Sequence, residues 1–565
     1  MQNAALARAF DQIAAYLELD GDSIFKVRAY QTAAEAIADF PAPIEDADLS
    51  SIEGLGAATI AKSREWFKSG KIRVLEELKK KYPSGLLEIL RVPGVGPKKV
   101  QLLWKEKGID SLEKFSAALE AGELNGLAGF GPKTIENLKT ALRRLSEFDS
   151  SLPLPEATSL AMKIIAALQE KQPRVEVVIA GDVRRGCDTV GGLNFVAKAN
   201  DNAIVKDFAA LPQFEGSVTR GENLVMAQSY AGIYCELIVV EPEAFGSTLF
   251  SKTGAQAHID ILLDGLPKAG FPSGGEWKWV IPGPGAFATE RELYAHFNSD
   301  YIPPELREGR DEIELARAHK LPNLIEIRDI KGDLHTHSTW SDGVATIRQM
   351  AQAMSERGYA YFAVCDHSKA LAMTNGLDAF RVREQAHEIA GVQAEFPNLK
   401  IFRGIECDIL RDGTMDLDDE VLSELDFVVG SVHSAFNLSK TEQTERIIRA
   451  IQNPHVDLIG HPTGRVLGVR APYDVDVPAL IEAAKSSGCA LEINASERLD
   501  LKDEYARQAR EAGVMLSTNT DAHSPKMLPN ISFGVATARR AGCEAKDILN
   551  TRSLGELLLW MSKRV

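Results

Sequence analysis

Asp333-Leu334-His335-Thr336-His337-Ser338, followed by Asp342, is the stretch that decides how the C-terminal part of the chain is read. Alternate residues of a strand point to one side, so His335 and His337 can both face a single ion. Outward from this segment, apolar runs of strand length recur, and each ends on a polar group. Phe362-Ala363-Val364-Cys365 leads to Asp366 and His367, and Ile401-Phe402-Arg403-Gly404-Ile405 leads to Glu406. Phe427-Val428-Val429-Gly430-Ser431-Val432 leads to His433, Leu458-Ile459-Gly460 to His461, and Leu516-Ser517-Thr518-Asn519-Thr520 to Asp521 and His523. Strands and helices alternate here with the cadence of a parallel α/β barrel, whose chemistry sits at the C-terminal strand ends. His335, His337, Asp342, His367, Glu406, His433, His461, Asp521 and His523 supply enough nitrogen and oxygen donors for three divalent ions, with positions left for water and substrate. Six of the eleven histidines of the chain belong to this set, a concentration that isolated core or surface histidines do not produce.

The remainder of the chain has a different character. At 565 residues it is too long for one hydrophobic core, and three or four domains are expected. With 45% hydrophobic and 25% charged residues it has the composition of an ordinary globular protein. No apolar run reaches the ~20 residues that span a bilayer and the N-terminus carries no secretory signal, so a cytoplasmic location is expected. The six cysteines are scattered without a CxxC pair, which predicts neither a disulfide framework nor a thiolate zinc site. The net charge of −16 speaks against a nucleic-acid partner, but its distribution does not. Ser51 to Arg144 holds 18 Lys/Arg against 11 Asp/Glu, a local +7, which leaves −23 for the rest.

Residues 1–150 read as short helices separated by glycine turns. Three of those turns are alike: Gly54-Leu55-Gly56, Gly94-Val95-Gly96-Pro97-Lys98-Lys99 and Gly129-Phe130-Gly131-Pro132-Lys133. This is the pattern of the helix-hairpin-helix, in which glycine lets the backbone approach a DNA phosphate that faces the amides of the following helix. Gly54, Gly56, Gly94, Gly96, Lys98, Lys99, Gly129, Gly131 and Lys133 are accordingly the expected DNA contacts. From 151 to about 320, strands such as Val175 to Ala180 and Tyr234 to Val240 mix with helices, an α+β region that ends in a charged connector.

The order His-x-His, Asp, His, Glu, His, His, Asp-x-His resembles the PHP (polymerase and histidinol phosphatase) family over about residues 330–565, with all nine expected positions filled. The resemblance implies a distorted (βα)7 barrel and phosphoester hydrolysis at three ions of zinc, manganese or iron. It implies that His335, His337 and Asp521 hold a first ion with Glu406, which bridges to a second completed by His433 and His461. Asp342, His367 and His523 would hold the third. Metal coordination lowers the pKa of a bound water toward neutrality, so no side-chain nucleophile is required. Arg465, in Gly460-His461-Pro462-Thr463-Gly464-Arg465, is the first candidate for gripping the phosphate bidentately, and Lys369 the second.

With this barrel, the first 320 residues resemble a bacterial X-family DNA polymerase. The resemblance rests on Phe25-Lys26-Val27-Arg28-Ala29-Tyr30, the glycine hairpins, Arg184-Arg185-Gly186, Phe245-Gly246 and Tyr301-Ile302-Pro303-Pro304-Glu305-Leu306-Arg307. It implies a helical 8-kDa-like domain (1–80), a fingers-like helical domain (81–150), a nucleotidyltransferase-like palm (151–245), a thumb (246–320) and the barrel (321–565). The family's palm carries a Gly-Ser before Arg-Arg-Gly and a Gly-Asp-x-Asp strand that supplies two magnesium ligands. Here Asp182 replaces the serine, Gly192 and Asn194 replace the two acids, and Glu236 stands for the third carboxylate. Gln256 stands where that pattern tends to have lysine. Magnesium wants anionic oxygen, so the ion is not expected at this palm; Arg184 and Arg185 remain as nucleotide or phosphate contacts. The expected function is a 3′-5′ DNA-repair exonuclease, acting as a monomer on gapped, nicked or 3′-ended DNA in the nucleoid. The alternatives are a gap-filling polymerase with the barrel as proofreader, or a small-molecule phosphatase with a DNA-binding platform.

Overall fold

The computed structural model describes residues 2–38, 44, 47–52, 54–90, 92, 94–136, 138–139, 142, 151–264, 268–269, 278–279, 287–371 and 374–562. The chain divides into two compact units, residues 1–150 and 151–565.

In the first unit the amphipathic helices Gln2–Asp20, Ile24–Ala38, Ala57–Ser69, Arg73–Lys81, Gly85–Leu90, Pro97–Lys107 and Leu112–Glu120 surround one apolar cluster running from Leu6 and Phe10 through Tyr82 and Leu103 to Phe115 and Leu138. A single cluster crosses the 80/81 boundary expected from the sequence, and the helix Arg73–Lys81 runs over it. The three glycine turns share one geometry. Gly54, Gly94 and Gly129 have φ of 93°, 88° and 82°, a left-handed conformation that costs an L side chain roughly 1–2 kcal/mol. Gly56 and Gly96 are extended and open the helices Ala57–Ser69 and Pro97–Lys107, whose first amides no capping side chain satisfies.

The second unit opens with the helix Leu154–Lys171, which packs on a five-stranded sheet. Its strands run in the order Glu176–Ala180, Gly192–Lys198, Tyr234–Val240, Leu224–Ser229, Phe214–Arg220, and Asn194 pairs in register with Glu236. The helices Phe245–Thr253, Gln256–Leu262 and Glu290–His296 follow. Seven parallel strands come next, hydrogen-bonded in sequence order: Gly332–Thr336, Tyr361–Val364, Lys400–Asp408, Phe427–Ser431, Leu458–Ile459, Ala490–Asn494 and Leu516–Asn519. Most are buried along their whole length, as parallel strands covered by helices must be. The first and last strands close on each other through a bridge between Thr336 and Ala522 and the Leu334 amide, which donates to Asn519 Oδ1 at 3.0 Å.

Sheet and barrel share an interface. Leu467 and Leu499 of the barrel lie in the same buried cluster as Leu154, Ile164, Val190 and Phe195 of the sheet. Beside them Arg540 bonds Glu308 at 2.7 Å and Asp503 at 3.1 Å.

The hairpin glycines give a first prediction. A Cβ on Gly54 would sit 3.1 Å from the Ala36 Cβ, whereas one on Gly94 meets only Leu138 at 3.7 Å. Gly94→Ala should therefore cost about 1 kcal/mol from backbone strain alone and Gly54→Ala about 2 kcal/mol, measured by denaturant unfolding; equal losses would contradict the crowding at Gly54.

Candidate metal centre

The barrel brings nine side chains, far apart in the chain, to one rim. His335 lies in the first strand and His337 just after it; His367, His433, His461, Asp521 and His523 follow later strand ends, and Glu406 stands inside the long third strand. Glu406 is the hub. Its Oε1 is 2.9 Å from His461 Nε2, 3.3 Å from His433 Nε2 and 3.5 Å from His335 Nε2. Its Oε2 is 2.8 Å from His367 Nδ1 and 3.7 Å from His337 Nε2. Asp521 Oδ1 reaches His337 Nε2 at 3.0 Å. Asp342, the most exposed member, is 3.3 Å from His523 Nε2 and 3.5 Å from His367 Nε2.

Three subsets are compact enough for one ion each: His335, His337 and Glu406; His367, Glu406 and His433; and His337, Asp342, His367 and His523. They open into a cavity of about 260 Å³ that Arg498 and Ser496 also line.

The donor set fits divalent cations. His335 Nε2, both ring nitrogens of His337, His367 Nδ1, His461 Nδ1 and Glu406 Oε2 are buried without a properly angled hydrogen bond, even where a neighbour lies within 3 Å. Leaving that many polar atoms unsatisfied costs on the order of 1–3 kcal/mol each, unless something else binds them. Burial, together with His523 and His367, pushes the His337 imidazole down to about 3, the neutral form that coordination requires. Burial opposes ionisation of Glu406, but His433, His367 and His335 outweigh it and hold its carboxyl well below the usual range. At His335 burial is outweighed by Glu492, Asp521 and Glu406, so the pocket draws in positive charge. The backbone is strained at two of these positions, with φ of 28° at His461 and 54° at Asp521. Non-glycine residues held in that region cluster at functional sites.

An outer layer orients the donors. Glu492 Oε1 is 2.8 Å from His335 Nδ1, and its Oε2 accepts from the His461 amide at 2.8 Å and from Asn494 Nδ2 at 3.1 Å. Asp408 Oδ1 lies 3.2 Å from His433 Nδ1, and the Asp521 carbonyl 2.8 Å from His523 Nδ1. Glu492 is absent from the expected set because it sits inside the buried run Ala490–Asn494, with no position after a strand to mark it.

Several expected contacts are engaged elsewhere. Arg465 does not line the cavity: its Nη1 bonds Asp188 at 2.8 Å, its Nε donates to the Arg498 carbonyl at 3.0 Å and its Nη2 to the Leu499 carbonyl. Arg498 is the guanidinium at the rim, its Nε 3.8 Å from Asp521 Oδ2 and its buried Nη1 without a hydrogen-bond partner. Lys369 is exposed and outside the cavity lining. Arg184 forks onto Glu290 at 2.6 and 2.9 Å, and Arg185 bonds Asp182 at 2.7 Å, Glu308 at 3.0 Å and the Thr253 carbonyl at 2.7 Å, so both hold the fold together and neither is free for phosphate. Lys99 turns back to donate to the Gly94 carbonyl at 2.8 Å, whereas Lys98 and Lys133 are exposed.

In the sheet, Asn194 lies beside Glu236, and Glu236 is paired with Lys252. Asp182 accepts from the Gly191 amide at 3.2 Å as well as from Arg185. Among the described residues, no group of three or more metal-binding side chains occurs in this sheet.

Models of known families match three parts of the chain: a helix-hairpin-helix domain over residues 1–72, a SAM-like helix-hairpin-helix tandem over 86–144 and a PHP domain over 333–496. The chain is 38% identical over 572 residues, 100% of both proteins, to the DNA polymerase/3'-5' exonuclease PolX of Bacillus subtilis (strain 168). It belongs to that PolX family. Over part of its length the chain is 31% identical, across 202 residues, to a probable phosphatase of Acetivibrio thermocellus, covering 34% of this chain and 78% of that protein. It is also 30% identical over 244 residues to one of Shewanella sp. (strain MR-4), covering 41% of this chain and 91% of that protein. The PHP match stops before Asp521 and His523, which the last strand nevertheless brings to the same rim. No helix among the described residues is long and apolar enough to cross a membrane.

Glu492 gives the second prediction. Glu492→Gln keeps the shape and removes the charge that orients His335, so the affinity for Zn²⁺ or Mn²⁺ should fall roughly 10- to 100-fold, followed by elemental analysis after dialysis against graded metal buffers. Retention of the wild-type metal content would contradict the orienting role.

Proposed function

We propose that the chain is a DNA-repair 3′-5′ exonuclease that hydrolyses phosphodiesters at the barrel rim, while its polymerase-like module binds DNA and incorporates nucleotides weakly or not at all. One contrast carries this reading. At the rim, nine imidazoles and carboxylates converge; in the sheet, Gly192 and Asn194 stand at the acid positions, and the remaining Glu236, whose buried Oε1 also lacks an angled hydrogen bond, lies against the Lys252 ammonium. Nucleotidyl transfer needs a two-ion clamp on attacking and leaving oxygens, and a glycine, an amide and a paired glutamate are poor ligands for magnesium.

Three zinc, manganese or iron ions, when bound at the rim, supply an activated water and neutralise charge developing on the phosphoryl group. His335, His337, Asp521 and Glu406 are assigned to one, Glu406, His433 and His461 to a second, and Asp342, His367 and His523 to a third. Arg498, in place of Arg465, is assigned to the phosphate, since its buried Nη1 is an unused donor beside the cavity. The barrel's likeness to proteins named as probable phosphatases supports phosphoester chemistry, and the helix-hairpin-helix matches support DNA as the bearer of that ester. Gapped, nicked or 3′-ended duplex is the assigned substrate, in base excision repair in the cytoplasm, with abasic sites and 3′-phosphates open to the same chemistry.

The test is an end-labelled, gapped duplex with Mn²⁺. The 3′ end should shorten stepwise, and His335→Ala or Asp521→Asn should slow this by roughly 10³-fold, the loss of several kcal/mol of transition-state stabilisation. Added dNTPs should give little or no extension. Robust incorporation that Glu236→Gln abolishes would reverse the assignment of the two modules.

A further inference from the structure

Asp188 belongs to the degenerate palm, immediately before its short strand Thr189–Val190, and its carboxylate has no place in metal binding there. It bonds Arg465 across the interface at 2.8 Å. The same guanidinium, nine-tenths buried, holds the carbonyls of Arg498 and Leu499. A second anchor acts on the same loop. Leu499 is fully buried in the palm's apolar cluster although its backbone is left-handed, with φ of 42°. The Leu467 amide, from the same cluster, donates to the Glu497 carbonyl at 3.1 Å. Ser496, Glu497 and Arg498, the residues so held, all line the metal cavity.

We infer that Asp188 is a positioning residue for the nuclease: through Arg465 it fixes the 496–499 loop and thereby the Arg498 guanidinium against the scissile phosphate. This rests on the exonuclease reading and gives the palm a present role. Having lost its own acids, it is retained as the wall against which a loop of the nuclease site is built. A strained loop does not hold its shape unless its surroundings over-determine it, and here the surroundings are a buried ion pair and an apolar socket contributed by another module. Displacing a phosphate-gripping group by about 1 Å is enough to lower a rate by up to roughly 10²-fold.

Two readouts on the full-length protein decide this. Amide hydrogen exchange asks about the loop directly. Asp188→Asn should accelerate exchange over Ser496–Leu499 and leave the strand Lys400–Asp408 protected as in wild type; unchanged exchange in the loop would overturn the inference. Exonuclease kinetics ask about the consequence. Asp188→Asn should lower kcat at least about tenfold with metal content unchanged, Asp188→Glu should restore part of it, and in an Arg498→Ala background Asp188→Asn should change kcat less than about twofold, because the group it positions is gone. Equal factors in both backgrounds would overturn the link to Arg498. Leu499→Val shortens the apolar anchor without altering charge and should give the same non-additivity, so the result does not hang on one substitution. A wild-type protein that fails to shorten DNA would sink the exonuclease reading, while the exchange experiment still decides the strut.

Discussion

Burial of charge at the barrel rim is the constraint on which the rest of the structure depends. Glu406 is 1% exposed and lies within 4 Å of five imidazoles, and Asp521 stands beside two of the same rings. Such a cluster is costly in a low-dielectric interior unless its lone pairs are used. The scaffold over-determines it all the same. Seven parallel strands fix the donors from below, Glu492 and Asp408 orient the rings from behind, and strained backbone is accepted at His461 and Asp521. A site so fully supported from outside has the donors that divalent cations take.

The five-stranded sheet differs from the rim in how its charges are placed. In the sheet each charge expected to face nucleotide has found an internal partner: Asp182 and Glu308 with Arg185, Glu290 with Arg184, Glu236 with Lys252. Pairing of this kind takes the groups out of solvent-facing chemistry and turns them into fold stabilisers. The module also forms an interface, with the barrel's Leu467 and Leu499 seated in its apolar cluster.

The legibility of the sequence followed the same division. Except for Asp342, which stands out only by its spacing from His337, each rim histidine or acid lies at or just past the end of an apolar run, so strand period and residue type together mark it and the rim is legible from Asp333 onward. Glu492 could not, because inside the run Ala490–Asn494 it looks like one polar residue in a core strand, and only the fold places it behind His335. Arg465 stands out in the sequence for its position after His461, but its carboxylate partner lies 277 residues earlier, a pairing no local pattern carries. Arg498, 33 residues further on, took the rim position through the loop geometry alone. The same holds for Arg184 and Arg185, whose sequence context resembles a phosphate site and whose partners Glu290 and Glu308 are more than a hundred residues away.

Anomalous diffraction at the manganese edge, from crystals of the full-length protein grown with Mn²⁺, tests the central claim most directly. The account predicts peaks clustered around Glu406 at the barrel rim, with none between Asn194 and Glu236. An ion beside Glu236, or a rim without anomalous density in a protein shown to carry manganese, would contradict it.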